Sequence, residues 1–373
     1  LNNSLTEIMA NYGNIRILFE SLQQKLNEAV TEVPVIIGKD VVGTIDSRDA
    51  STIDHIKSLV SSASSKEAVI TFLISLGYPA DQAEILFSAI SRGSDIKVVS
   101  EYLLNRTISM SSLLNNVSDA NSINSSIGVT KASAQFYAFS WRTSPPMGPG
   151  EVWLSTILKD GRRPSGGEKG DVIVDDLELE VKGPNGRLIG QSGYGDAKQM
   201  RNKLATAVSN ISKNLKVNHE VIDSGKDNFW NIGKSAGSGL EENLKAIAKQ
   251  LKGGFSKSDL SMISMEIISA YSNYLLNLDV KKYGSILVDV ISKDGYINPT
   301  KWHVEMLTMY FEYYHSQEHF DYIAFTTSNG KFLIMDVSSF KSFYSNGSIV
   351  ATSVPSFTNA AGSQGGTYGI SLK

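Results

Sequence analysis

Apolar residues recur near the helical period through the first hundred positions. Leu5, Ile8, Met9, Ile15, Leu18, Phe19, Leu22 and Leu26 form one such stripe. A second helix is expected to open at the capping cluster 49–51 and to carry Ile53, Ile56 and Leu59. Val69, Ile70, Phe72, Leu73 and Ile74 predict a third, stopped by Gly77-Tyr78-Pro79, and residues 81–90 a fourth, stopped at Gly93. Residues 96–104 make a short fifth. The expectation is an all-helical domain over 1–107, suited to packing or oligomerisation. Its 9 basic against 13 acidic residues give it the wrong sign for gripping phosphates unaided.

Residues 108–134 are dominated by Ser and Asn and read as a linker, although Leu113, Leu114 and Val117 hint at a short helix. From 135 to 373 the texture changes. Strand-like runs at 134–141, 171–174, 177–182, 285–291, 322–326, 332–336 and 367–372 alternate with helical patterns. The helices are expected at 151–158, 196–215, 240–251, 259–278 and 299–314. Such alternation predicts an α/β (or α+β) domain with a central mixed sheet.

Composition narrows the chemistry. The 373 residues contain no cysteine, which excludes disulfides, thiolate-bound zinc, iron–sulfur clusters and a thiol nucleophile. No run of about 18 apolar residues exists, so no membrane-spanning helix and no membrane partner is expected. The first residues lack the basic-then-apolar pattern of a secretory signal, so a cytoplasmic rather than secreted protein is expected. Net charge is −3, which argues against binding nucleic acid by bulk charge and shifts attention to local patches.

The segment 166–187, GGEKGDVIVDDLELEVKGPNGR, carries the most information. It reads as two strands. Val172 and Val174 share one side of the first; Leu177, Leu179 and Val181 share one side of the second, with Glu178, Glu180 and Lys182 opposite. A turn at Asp175-Asp176 pairs Val174 with Leu177 and Val172 with Leu179, and so sets Asp171 against Glu180. Two carboxylates about 5 Å apart repel. Lys182 offsets part of that, and a divalent cation would offset more. Oxygen donors suit Mg²⁺, which uses one or two carboxylates and fills its shell with water and phosphate oxygens. The plain alternative is a solvated hairpin with a surface ion pair.

Asp171 followed by Glu180-Val181-Lys182 after a hairpin resembles the PD-(D/E)xK nuclease superfamily, the restriction-endonuclease-like proteins. Gly170 stands where the pattern has proline. Glu151, at the expected start of the preceding helix, matches a further acidic ligand in position and type. The resemblance covers roughly residues 148–190. It implies a mixed sheet flanked by helices, Asp171, Glu180 and Glu151 as Mg²⁺ (or Mn²⁺) ligands, and Lys182 as the catalytic lysine. It also implies DNA as the substrate, in a restriction-type or phage-encoded setting, with the protein virion-associated in the second case.

Charge downstream agrees. Between 182 and 216 seven basic residues face the single acid Asp196, a net of +6. A helix so biased can track a phosphate backbone. Arg187, Gln191, Lys198 and Arg201 are the candidate DNA-contacting residues, with Tyr194 and Gln199 beside them; Arg162 and Arg163 are further phosphate candidates. Glu178 and Glu168 stand nearby without an assigned role. Gly233-Lys234-Ser235 lacks the first glycine of a phosphate-binding loop, since Asn228 stands there, and His315/His319 lack the glutamate of a zincin. The expected function is therefore a metal-dependent endonuclease, with a homodimer or larger homo-oligomer formed through the helical domain. The alternatives are a catalytically idle DNA-binding relative and a structural or assembly protein of a virus particle.

Overall fold

The computed structural model describes residues 32–37, 40–46, 108–120, 148–165, 167–188, 197–222, 239–272, 277–353 and 368–373. It also describes positions 70, 73, 74, 80, 83, 84, 123 and 275, and the backbone alone for 32–37, 40–46 and 197–201. Most of the expected helical domain lies outside these residues, as do the expected strand at 134–141 and residues Gln191, Tyr194 and Gly233 to Ser235. Where the first hundred residues are described they are not all helical. Ile70, Leu73, Ile74, Ala80, Ala83 and Glu84 are helical, but β1 (Glu32–Ile37) and β2 (Asp40–Asp46) form an antiparallel pair. The β-branched run Val33, Val35, Ile36, Ile37, Val41, Val42 explains this correction, because such side chains favour pleated backbone over helix.

The described chain is mixed α/β. A mixed sheet of six strands has the order β3-β9-β8-β6-β5-β4, with β3 Asn116–Asp119, β4 Gly161–Arg162, β5 Val172–Val174, β6 Leu177–Lys182, β8 Tyr322–Thr326 and β9 Lys331–Asp336. A three-stranded sheet has the order β10-β11-β7, with β7 Gly186–Arg187, β10 Ile349–Ser353 and β11 Gly369–Leu372. The chain forms two compact units, residues 1–181 with 328–334, and residues 182–327 with 335–373. The division does not fall at 108–134. That Ser/Asn-rich stretch carries β3, which pairs with β9 in antiparallel register from Asn116↔Ile334 to Asp119↔Lys331.

In the first unit, helix α1 (Pro149–Ile157) follows an extended Gly148, with Pro149 at its first position and Glu151 in its first turn. Proline there gives up no hydrogen bond, and an acid in the first turn complements the helix dipole. Every residue from Val152 to Leu158 is buried. A helix buried on all sides is a core element. It packs on β4 and β5, and Trp153 meets Phe332 edge-on at 5.0 Å.

The second unit holds α2 (Ala197–Asn214), α3 (Gly239–Ala248), α4 (Lys257–Tyr271), α5 (Val280–Tyr283), α6 (Pro299–Glu318) and α7 (Phe340–Ser345). Leu204, Val208 and Ile211 on α2 are fully buried at helical spacing, and α2 packs against α4. Asn210 donates to Glu266 across that contact at 3.1 Å. Ser256 and Asp259 close a reciprocal cap on α4. Asn298 caps α6 ahead of Pro299. The segment 285–291, expected as a strand, is instead a run of turns over 285–290, with Ile291 making a single antiparallel bridge to Ile297. Its bonds run from Ile286 N–H to Tyr283 O and from Val290 N–H to Leu287 O. Leu287, Val290 and Ile291 are buried at a spacing of three to four, so an apolar β-branched run folds here as helical-type turns. The aromatic run of α6, Tyr310, Phe311, Tyr313 and Tyr314, is core, none of it more than 3% exposed.

Candidate functional site

The hairpin β5–β6 has the expected register. Val172 faces Leu179, Ile173 faces Glu178, and Val174 faces Leu177. Asp175 and Asp176 have φ of +52° and +64°, the paired left-handed conformation of a two-residue hairpin turn. One feature departs from the sequence reading. The side of the hairpin carrying the acids is not a solvated surface, because Ile173, opposite Glu178, is 1% exposed and Glu180 is 7% exposed. A carboxylate so buried requires donors or a cation close by. The picture of a surface ion pair on a wet hairpin does not fit these burials.

The regular register is complete to Val172↔Leu179, and the chain then bends. Asp171 N–H donates to Leu179 O at 3.0 Å. Val181 N–H donates to Asp171 Oδ2 at 2.8 Å. The Asp171 carboxylate thus takes the backbone donor that lies between Glu180 and Lys182. Gly170 makes the bend possible. Its φ is +78°, and a Cβ there would lie 3.3 Å from both the N and O of Leu179. Proline, with φ held near −65°, cannot occupy this conformation.

The neighbouring acids have structural partners. Glu178 accepts the Lys169 N–H at 3.0 Å, tying the approach to β5 onto β6. Glu168 makes a two-point ion pair with Arg162, at 2.6 and 2.5 Å, and accepts Ser165 N–H at 2.7 Å. The Arg162 guanidinium holds the Glu168 carboxyl down at about 2, and Arg162 itself is raised, first by its bond to Glu168. Arg162, read from sequence as a phosphate contact, is therefore the partner of Glu168.

Glu151 stands in the first turn of α1, and its carboxylate curls back over the helix start. A Cβ at Gly148 would lie 2.5 Å from Glu151 Oε1. Among the described residues no group of three or more His, Cys, Asp or Glu could hold a metal ion, so Glu151 does not converge with Asp171 and Glu180 into a three-acid set. Asp171 and Glu180 remain the two acids of the sequence expectation for a divalent cation. Both offer carboxylate oxygens, Asp171 is fixed by a backbone donor beside Glu180, and Mg²⁺ needs only one or two carboxylates from the protein.

Lys182, two residues beyond Glu180 on β6, places its ammonium 4.9 Å from the centroid of the Tyr314 ring. Nothing in the local sequence points to that partner. Of the candidate DNA contacts, Arg187 is exposed on β7, where it pairs with Gly369. Lys198 and Arg201 lie on α2 but their side chains are outside the description, as is all of Gln191. Lys203, Lys213 and Lys216 are exposed, and α2 contains no acid.

A cleft of about 620 Å³ in the second unit was not anticipated; Asp279, Lys282, Tyr283, Glu312, His315 and Lys341 are among its lining. Its charges answer one another. Lys282 pairs with Glu312 at 2.6 Å, the Tyr283 hydroxyl donates to Glu312 at 2.9 Å, and burial pushes the Tyr283 phenol up to about 12. His315 packs edge-on against Phe320 at 5.0 Å, and His319, at φ +60°, ends α6. No helix among the described residues is long and apolar enough to cross a membrane. No protein-family profile matches the chain, and neither does any curated protein or solved structure.

Proposed function

We propose that this protein is a Mg²⁺-dependent deoxyribonuclease of the PD-(D/E)xK type, cutting DNA internally. The observation that carries the reading is the 2.8 Å bond from Val181 N–H to Asp171, which fixes one acid of the pattern beside the Glu180-Val181-Lys182 segment that supplies the others. Asp171 and Glu180 would hold the cation, with Glu151 a further ligand only if its side chain leaves Gly148. The bound ion would polarise the scissile phosphate and make a coordinated water more acidic. Lys182 orients the attacking water and meets the charge that grows on the phosphate oxygens. The water oxygen bonds to phosphorus and the P–O bond on the far side breaks. A proton lost from the water is balanced by one taken up on the departing oxygen, leaving a phosphomonoester and a hydroxyl. Arg187 and the exposed lysines of α2 supply positive surface for the backbone, with Lys198, Arg201 and Gln191 assigned the same role from sequence.

The test is plasmid cleavage with Mg²⁺, Mn²⁺ or EDTA by wild type, Asp171→Asn, Glu180→Gln and Lys182→Ala. Cleavage by wild type that requires the cation and falls at least about 100-fold in each variant supports the enzyme. Cation-independent DNA binding without cleavage assigns the chain to the idle, DNA-binding alternative.

A further inference from the structure

A lysine has a flexible four-carbon stem, and a catalytic lysine must present its ammonium at one point. In this protein both ends of the Lys182 side chain meet walls. At the stem, a Cβ at Gly186 would lie 2.9 Å from Lys182 Cβ and 3.2 Å from Lys182 Cδ. Gly186 is held in place by its pairing with Ile370 on β11. Only a residue with no side chain lets the stem pass so closely. At the head, the ammonium stands over the Tyr314 ring.

That ring has little freedom to move. Tyr314 is 3% exposed and packs on Phe320, with centroids 5.7 Å apart. Phe320 also packs on Phe311 and His315, and Phe311 stacks on Phe340 at 3.8 Å. The negative face of an aromatic ring attracts a cation. The ring is therefore a fixed electrostatic seat, supplied by α6, for a cation supplied by β6.

We propose that Tyr314 is a positioning residue for Lys182. Its ring, with the gap at Gly186, holds the lysine in one conformation and so presents the ammonium ready for reaction. The proposal rests on the nuclease reading for its functional consequence, but the clamp itself can be observed without any cleavage.

The experiment uses the full chain with its lysines reductively ¹³C-dimethylated. A two-dimensional NMR spectrum is recorded for wild type, Lys182→Ala, Tyr314→Phe and Tyr314→Leu, and kcat and KM for plasmid cleavage are measured on the unmodified proteins. The Lys182 resonance, identified by its loss in Lys182→Ala, should lie upfield of the other lysines in wild type, because protons over a ring face are shielded. It should stay there in Tyr314→Phe and join the main lysine group in Tyr314→Leu. Tyr314→Leu should lower kcat about ten-fold, with KM within about two-fold, and Tyr314→Phe should restore most of the loss. An unshifted Lys182 resonance in wild type overturns the proposal without recourse to any variant. So does a Tyr314→Leu protein that folds and keeps the shift. A wild type with a shifted resonance and no cleavage overturns the nuclease reading while upholding the clamp.

Discussion

Asp171 has two separable duties, and substitution can divide them. Its carboxylate accepts the Val181 N–H at 2.8 Å, which is a structural role, and it is the proposed cation ligand, which is a chemical one. Asp171→Ala removes the acceptor and leaves a backbone donor in a part-buried position. An unsatisfied buried N–H costs about 1–3 kcal/mol, and partial exposure of Asp171 puts the expected loss at about 1–2 kcal/mol. In a unit of this size about 1 kcal/mol moves Tm by roughly 2–4 °C, so Asp171→Ala should melt about 2–8 °C below wild type. Asp171→Asn keeps an oxygen that can accept the same bond and should melt within about 1 °C of wild type. Both should lose Mg²⁺-dependent cleavage, since an amide is a poor ligand for a hard cation. Calorimetry and the plasmid assay decide the matter together. If Asp171→Asn melts as low as Asp171→Ala, the hydrogen bond to Val181 N–H is not what the side chain contributes.

Two further substitutions probe the same hairpin. Gly170→Ala places a side chain at φ +78° and 3.3 Å from the Leu179 backbone, and should cost about 1–2 kcal/mol; Gly170→Pro, the residue of the superfamily pattern, should cost about 3 kcal/mol or more, and a proline variant melting with wild type would refute the bend at this position. Glu168 is held near 2 by Arg162, against an ordinary value of 4.5, so its contribution is full above pH 4.5 and drains away as pH falls from there toward 2. Glu168→Gln should remove that part of the acid dependence and cost about 1 kcal/mol at pH 7, a modest figure because both partners remain about 30% open to solvent. Urea titrations at pH 7 and pH 3 measure this: the gap between wild type and variant should narrow at pH 3, and a gap that widens contradicts the ion pair.

Local pattern was sufficient where alternation and turn chemistry act over a few residues. The parity of Val172, Val174, Leu177 and Leu179 and the pair Asp175-Asp176 determine the hairpin and its register, because a slip of one residue would turn every apolar side chain to the wrong face. Pro149 and Glu151 mark the start of α1 through proline's fixed φ and the helix dipole, and Asn298-Pro299 the start of α6 through a side-chain cap, both local by nature. Pattern misled at 285–291, where a short apolar run fits a buried strand or buried helical turns and periodicity cannot tell them apart, and at 108–134, where polar composition concealed an edge strand completed by β9.

The sequence by itself determined the residue types and spacing of the proposed centre: an aspartate and a glutamate at one end of a hairpin, with a lysine two steps further on. Tertiary structure decided what surrounds them. It buried Glu180, gave Glu168 to Arg162, turned Glu151 back over Gly148, and set Lys182 over an aromatic ring from a helix far along the chain. Burial and long-range pairing depend on which elements pack together, and no rule confined to neighbouring residues contains that information.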